Sequence, residues 1–198
     1  GRPSPTEAAH VAEDLSGKIA MIIDGGPVGI GIESTIIDLT EDTPMVLRPG
    51  YITPQMLSKV LGKEVIIDPG IIAADDTRKP KAPGMKYKHY APKADMAIVD
   101  GTRKHVIAKI NELVASHRDD GKKIAVIATE ETKQFYDADV VLSMGSRADE
   151  DSIAHELYRI LRDCDELDVD VIFSESFSTP RIGQAIMNRM LKAAGHQV

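Results

Sequence analysis

Residues 2–6, Arg2-Pro3-Ser4-Pro5-Thr6, place a hydroxyl and a cation directly ahead of a helix-forming run. Ser4 and Glu7 have the spacing of a capping box, and Pro5 suits a first helical position, which predicts a helix over 5–15 with Ser4 as its N-cap. Free N–H groups at such a terminus, beside a serine hydroxyl, form a ready site for an anion. The chain thus opens where a nucleotide-binding element would close. Gly25-Gly26-Pro27-Val28-Gly29-Ile30-Gly31 follows an apolar run, but no Gly-Lys-Ser/Thr follows it and no helix begins there, so alone it reads as a tight turn. Glu33-Ser34-Thr35 comes next. Its hydroxyls and carboxylate suit a small polar substrate such as an amino acid, or backbone groups at a strand start. Arg48, before Pro49-Gly50, offers a planar fork matched to phosphate, and equally to a surface carboxylate. Met85-Lys86-Tyr87-Lys88-His89-Tyr90 sets aromatics and a histidine among cations, groups able to stack on a base, bind a phosphate or pack between domains. No second His or Cys stands at ligand spacing from His89, so no metal site is read there.

Composition narrows the classes. A net charge of −7 and a pI near 5.4 argue against a broad basic face for nucleic acid, while leaving room for a local basic pocket. One cysteine, Cys164, excludes a disulfide framework and a cysteine-rich zinc site, and fits a reducing cytoplasm. No apolar run reaches membrane-spanning length and no signal peptide is visible, so no membrane partner is expected.

The elements that position these groups change character along the chain. Residues 19–24, 35–39, 45–47 and 65–67 are strand candidates. A helix beginning at Thr53-Pro54 carries Met56, Leu57, Val60 and Leu61 on one face and stops at Gly62. These strands are too few to close a core alone and read as half of a sheet. Residues 75–93 have linker composition. From residue 96, strands at 96–99, 124–128, 140–142 and 171–173 alternate with helices at 104–117, 131–136 and 152–162, ahead of a last helix over 182–194. That alternation predicts a parallel sheet covered on both faces, an α/β architecture. The loops at 129–131 and 143–146 follow strands, where ligands bind in such sheets, but lack a phosphate-binding glycine pattern and read as ordinary loops. Arg181, Asn188 and Arg189 suit a solvated face, an inter-domain contact or a partner site.

Taken in order, Gly1 to Thr6, Asp24-Gly25-Gly26, residues 31–38 (Gly-Ile-Glu-Ser-Thr-Ile-Ile-Asp), residues 47–50 and Ile52-Thr53-Pro54 resemble the later half of the YrdC-like catalytic domain. Residues 82–92 resemble the linker of the two-domain threonylcarbamoyl-AMP synthases, and residues 183–190 resemble their closing helix. The resemblance covers essentially the whole chain. It implies a partial YrdC-like α/β domain over 1–74, a linker over 75–95 and a Rossmann-like parallel-sheet domain over 96–198. It further implies synthesis of threonylcarbamoyl-adenylate from L-threonine, bicarbonate and ATP with Mg2+, releasing pyrophosphate, and a functional link to the machinery that transfers the threonylcarbamoyl group to tRNA. Ser4, Arg48, Tyr87, Lys88 and His89 are then expected at ATP, and Ser34 at threonine. In the family a segment with a Lys/Arg cluster and a Ser-Ala-Asn motif precedes Gly-Arg-Pro-Ser. Its contacts are expected to be missing here, leaving this polypeptide inactive by itself. Two other readings stand beside it: a non-catalytic regulatory or protein-binding α/β module, and a nucleotide-binding oxidoreductase, which the absent dinucleotide fingerprint disfavours.

Overall fold

A computed structural model describes residues 2–72, 90–177 and 181–194. The first helix, α1 (Ala8–Leu15), starts later than the capping-box reading places it: Glu7 is the N-cap and makes no side-chain capping bond. The Thr6 amide donates instead to His10 Nδ1 at 3.1 Å, so an imidazole inside the helix takes the capping acceptor's place. Ser4 is thereby free of the helix. Residues 19–24 form no strand. Among the described residues nothing runs beside them to complete a ladder, and Ile19, Met21 and Ile23 are exposed.

Three short strands follow: β1 (Ile36–Asp38), β2 (Met45–Arg48) and β3 (Ile66–Ile67). β1 pairs antiparallel with β2, Ile37 opposite Val46, and β3 joins the other side of β2 in parallel. Between β2 and β3 lies α2 (Pro54–Leu61). Thr53 Oγ1 accepts from the Met56 amide, Pro54 starts the helix, and Gly62 ends it in the left-handed region at φ 65°. The apolar face expected on α2 is present but uncovered, with Met56, Val60 and Leu61 exposed among the described residues. A short turn of helix, α3 (Pro69–Ile72), closes this part.

The second sheet follows the expected pattern closely. Its strands β4 (Asp95–Val99), β5 (Ile124–Ala128), β6 (Val140–Ser143) and β7 (Val171–Glu175) are all parallel in the order β4-β7-β5-β6. α4 (Arg103–Asp119), capped by Thr102, lays Val106, Ile110 and Val114 on one face. α5 (Glu150–Glu166) and α6 (Gly183–Ala194) cover the other, with Leu157, Leu161, Ile186 and Met190 against Ile98, Ile127 and Ile172. β5 is buried at every position, as a strand clothed on both faces must be. The helix expected at 131–136 is a single 3-10 turn, Lys133–Phe135. No helix among the described residues is long and apolar enough to cross a membrane.

α5 and α6 also face the first sheet's part of the chain. Arg162 on α5 donates to the Pro3 carbonyl and pairs with Glu13 and Asp14 at 2.8 and 2.7 Å. Gly31, at φ 80°, lies on the α5 backbone so closely that a Cβ there would come within 2.4 Å of the Ala154 carbonyl oxygen. Cys164, 1% exposed on α5, has its thiol pushed up to about 12 by burial, with Asp163 and Asp165 adding to the shift. Because the thiolate is the reactive form, a thiol reagent at pH 8 is expected to leave native Cys164 unlabelled and to modify it on unfolding. Rapid labelling of the folded chain would contradict this placement.

Candidate functional site

The site grows from the junction of the glycine-rich stretch with β1. The turn Pro49-Gly50 lies directly on residues 33–35: a Cβ on Gly50 would stand 2.5 Å from the Thr35 nitrogen and 2.6 Å from the Glu33 carbonyl oxygen. Only glycine allows that approach. Thr35 Oγ1 donates to the Ile52 carbonyl at 2.7 Å, tying the same two segments together. Arg48, at the end of β2, reaches back with Nε and Nη2 to the Ser34 carbonyl at 3.0 and 2.9 Å, and its Nη2 lies 3.3 Å from Ser34 Oγ. Two residues singled out by the sequence, Ser34 and Arg48, are thus in direct contact. Among the described residues Arg48 Nη1 has no partner, so one edge of the fork remains available to an anion.

Glu33 is the centre of the arrangement. Ser4 Oγ donates to its Oε1 at 2.9 Å, which explains what Ser4 does once it is not a helix cap. Tyr158 on α5 donates to Oε2 at 2.6 Å, and Arg189 Nε on α6 does so at 3.1 Å. Arg189 also donates from Nη1 to the Pro49 and Ala185 carbonyls. Burial alone would raise the Glu33 pKa. The Tyr158 hydrogen bond and the Arg189 charge, helped by a backbone amide and Ser4, outweigh it and hold the carboxyl at about 2. The same carboxylate, after burial, pushes the Tyr158 phenol up, so Tyr158 stays a donor. Lys192, one helical turn on from Arg189, is lowered to about 8 by burial and by the Arg189 charge.

Two cavities meet at this carboxylate. One, of about 340 Å³, is lined by Ser4, Thr6, Gly29, Gly31, Glu33 and Tyr158. The other, of about 450 Å³, is lined by Glu33, Ser34, Thr35, Tyr51, Ile52 and Leu57. They share Ile30, Ile32 and Glu33. The glycine run is therefore a cavity wall and a docking surface for α5, more than the tight turn it suggests in isolation. Ser4, Ser34 and Arg48 are brought together here. Tyr87, Lys88 and His89 lie outside the described residues. Tyr90, next in the chain, packs its ring 5.1 Å from that of Tyr158.

Sequence reasoning places the carboxylate of Glu33 beside the hydroxyls but does not single it out, and it misses Tyr158. Arg189 is no solvated residue: from α6 it bonds Glu33 and the Pro49 carbonyl in the first part of the chain. Its signal was there to see: it falls on the face of α6 that buries Ala185, Ile186, Met190 and Ala193, where a cation must have a partner. The loops after β5 and β6 bond to each other, Ser146 Oγ to Glu131 Oε1 at 2.6 Å and the Glu130 amide to the Gly145 carbonyl.

Comparison with known proteins places these residues in a family. A model described as threonylcarbamoyl-AMP synthase, C-terminal domain, matches residues 52–195, and the Sua5–YciO–YrdC model, described as telomere recombination, matches residues 1–50. The chain is 46% identical over 198 residues to the threonylcarbamoyl-AMP synthase of Bacillus subtilis, covering 100% of this chain and 55% of that protein. It is 47% identical over 199 residues to that of Pyrococcus abyssi, covering 100% and 56%. The crystal structure of P. abyssi Sua5 complexed with L-threonine superposes with a TM-score of 0.87 at 45% identity, over 100% of this chain and 57% of that one. The chain spans about half the length of the curated relatives it matches.

Proposed function

The chain belongs to the family of threonylcarbamoyl-AMP synthase C-terminal domains, and from that premise we propose that its protein makes threonylcarbamoyl-adenylate from L-threonine, bicarbonate and ATP, releasing pyrophosphate. In this reading residues 1–74 carry catalytic-domain elements, 75–95 the linker and 96–198 the Rossmann-like domain. The product serves a cytoplasmic machinery that modifies an adenosine of tRNA, and the acidic chain itself does not grip the nucleic acid. The observation that carries the proposal is that Ser4 and Ser34 line two cavities adjoining at Glu33, with Arg48 bonded to Ser34.

Ser4 lines one cavity and is assigned to ATP; Ser34 lines the other and is assigned to threonine. Arg48, bonded to Ser34 and with one nitrogen unpaired among the described residues, holds the nucleotide phosphates and stabilises charge as pyrophosphate departs. Tyr87, Lys88 and His89 are assigned to ATP because Tyr90, immediately after them, packs on Tyr158 at the edge of the first cavity. Mg2+ would enter with ATP and supply charge neutralisation there; among the described residues no group of three His, Cys, Asp or Glu is placed to hold a metal ion. A purely regulatory second domain fits poorly with Tyr158 and Arg189 reaching into the site.

The test is pyrophosphate release from ATP by the full-length gene product. Release is expected to require both L-threonine and bicarbonate, and Arg48→Gln is expected to raise the KM for ATP about tenfold. Release that ignores threonine would refute the assignment.

A further inference from the structure

Glu13 and Asp14, partners of the buried Arg162, line neither of the two adjoining cavities, and Arg162 docks α5 on α1 and on the Pro3 carbonyl. Glu33 differs. It forms the boundary of both cavities, and the groups that grip its Oε2 come from the second sheet's helices. We propose that Tyr158 and Arg189 are positioning residues of the substrate site, holding the Glu33 carboxylate so that it fixes the direction in which the Ser4 hydroxyl meets its ligand. This inference rests on the functional reading above and deepens it.

The geometry sets the polarity. Oε2 is committed to Tyr158 and Arg189, which leaves Oε1 turned to Ser4. A serine hydroxyl has a single proton. Ser4 spends it on Glu33 and so presents only lone pairs to the cavity. The ligand atom beside Ser4 must then be a donor, such as a sugar hydroxyl, an exocyclic amine or an ammonium, and not a phosphate oxygen. Phosphate recognition falls to Arg48, bonded to the neighbouring Ser34. The division of labour between the two cavities thus depends on which way one hydroxyl points.

The clasp is also a poor device for stability alone. Arg189 is 1% exposed, and its Nη2 is buried with no partner among the described residues. A buried ion pair of this kind gains little over a well-packed apolar contact. The groups facing Glu33 are Ser4, Tyr90, Tyr158 on α5, and Arg189 and Lys192 on α6, with Arg48 bonded to the neighbouring Ser34. They set its ionisation together, with Tyr158 and Arg189 foremost among the groups that lower it.

The experiment compares the full-length wild-type protein with its Tyr158→Phe, Arg189→Gln and Arg189→Lys variants by two readouts. Carbon-detected NMR follows the Glu33 carboxyl against pH, and steady-state kinetics separate KM for ATP from kcat. Tyr158→Phe and Arg189→Gln are expected to move the Glu33 midpoint upward by about one pH unit or more. Both should raise KM for ATP about tenfold with kcat changed less than about threefold, and Arg189→Lys should restore part of each effect. A midpoint that stays in place in both variants overturns the inference, as does an unchanged KM when the midpoint has moved. Should Arg189→Gln fail to fold, Tyr158→Phe, which removes a single oxygen, decides alone. Absence of threonine-dependent pyrophosphate release in the wild type would instead sink the functional reading, while the Glu33 titration still reports whether α5 and α6 hold the carboxylate.

Discussion

Glu33→Gln is expected to destabilise the fold by about 3 kcal/mol at pH 7, the scale for breaking a buried pair and leaving one charge uncompensated. Arg189 is the charge left behind, faced among the described residues by the Pro49 and Ala185 carbonyls. The new amide also keeps a single acceptor oxygen for three groups that donate to the carboxylate, Ser4, Tyr158 and Arg189. The pH dependence supplies an internal check. Glu33 has a folded-state pKa of about 2 against an ordinary 4.5, a depressed value, so its contribution is present in full above 4.5 and is lost as pH falls toward 2. Urea unfolding of wild type and variant should therefore differ most at neutral pH and converge in acid. Parallel curves across that window would show that the carboxylate is not held as described.

Gly31→Ala is expected to cost about as much, roughly 3 kcal/mol, through two effects: a left-handed backbone that a Cβ disfavours by about 1–2 kcal/mol, and overpacking worth about 1–3 kcal/mol. The Cβ would sit 2.4 Å from the Ala154 carbonyl oxygen and 2.5 Å from His155 Cα. Both are backbone atoms of α5, and a helix cannot yield as a side-chain tip can. Gly26→Ala is the control. Its φ is 84°, but a Cβ there meets nothing within 4 Å, so only the conformational penalty of about 1 kcal/mol remains. Equal losses in the two variants would mean that the approach of the glycine stretch to α5 carries no energy. A larger loss for Gly31→Ala, measured by denaturant midpoint, is the expected outcome.

What could be read in advance follows from where the information resides. The second sheet is legible strand by strand because apolar runs such as residues 124–128 sit between amphipathic helices; β5 is buried throughout, β4 and β7 at all but their first residue, and β6 only partly. The first part was less so. The apolar run at 19–24 has the composition of a strand, yet a strand also needs a neighbour, which composition does not record. Ser4 was misread as a cap because the capping-box pattern is satisfied in sequence; in space His10 and Glu33 outbid Glu7 for the local donors. Ser34 and Arg48 stand out by residue type and position, whereas the contact between them is visible only in the fold. Tyr158 was invisible, because a tyrosine in an apolar helix face looks like core until its hydroxyl partner, 125 residues earlier, is known.

The long spans of these bonds have a consequence for biosynthesis. Glu33 leaves the ribosome 156 residues before Arg189, and Pro3 leaves 159 residues before Arg162 is matched to it in the fold's closing contacts. Domains generally fold as units while the chain is still emerging. The pocket around Glu33 must therefore remain open until α6 has been made, with Ile32 and Tyr51, which pack against the core under α5 and α6, still in water. A stalled or prematurely terminated product would present a sticky, half-lined cleft to chaperones and proteases, and quality control acting on this chain should recognise it by that cleft.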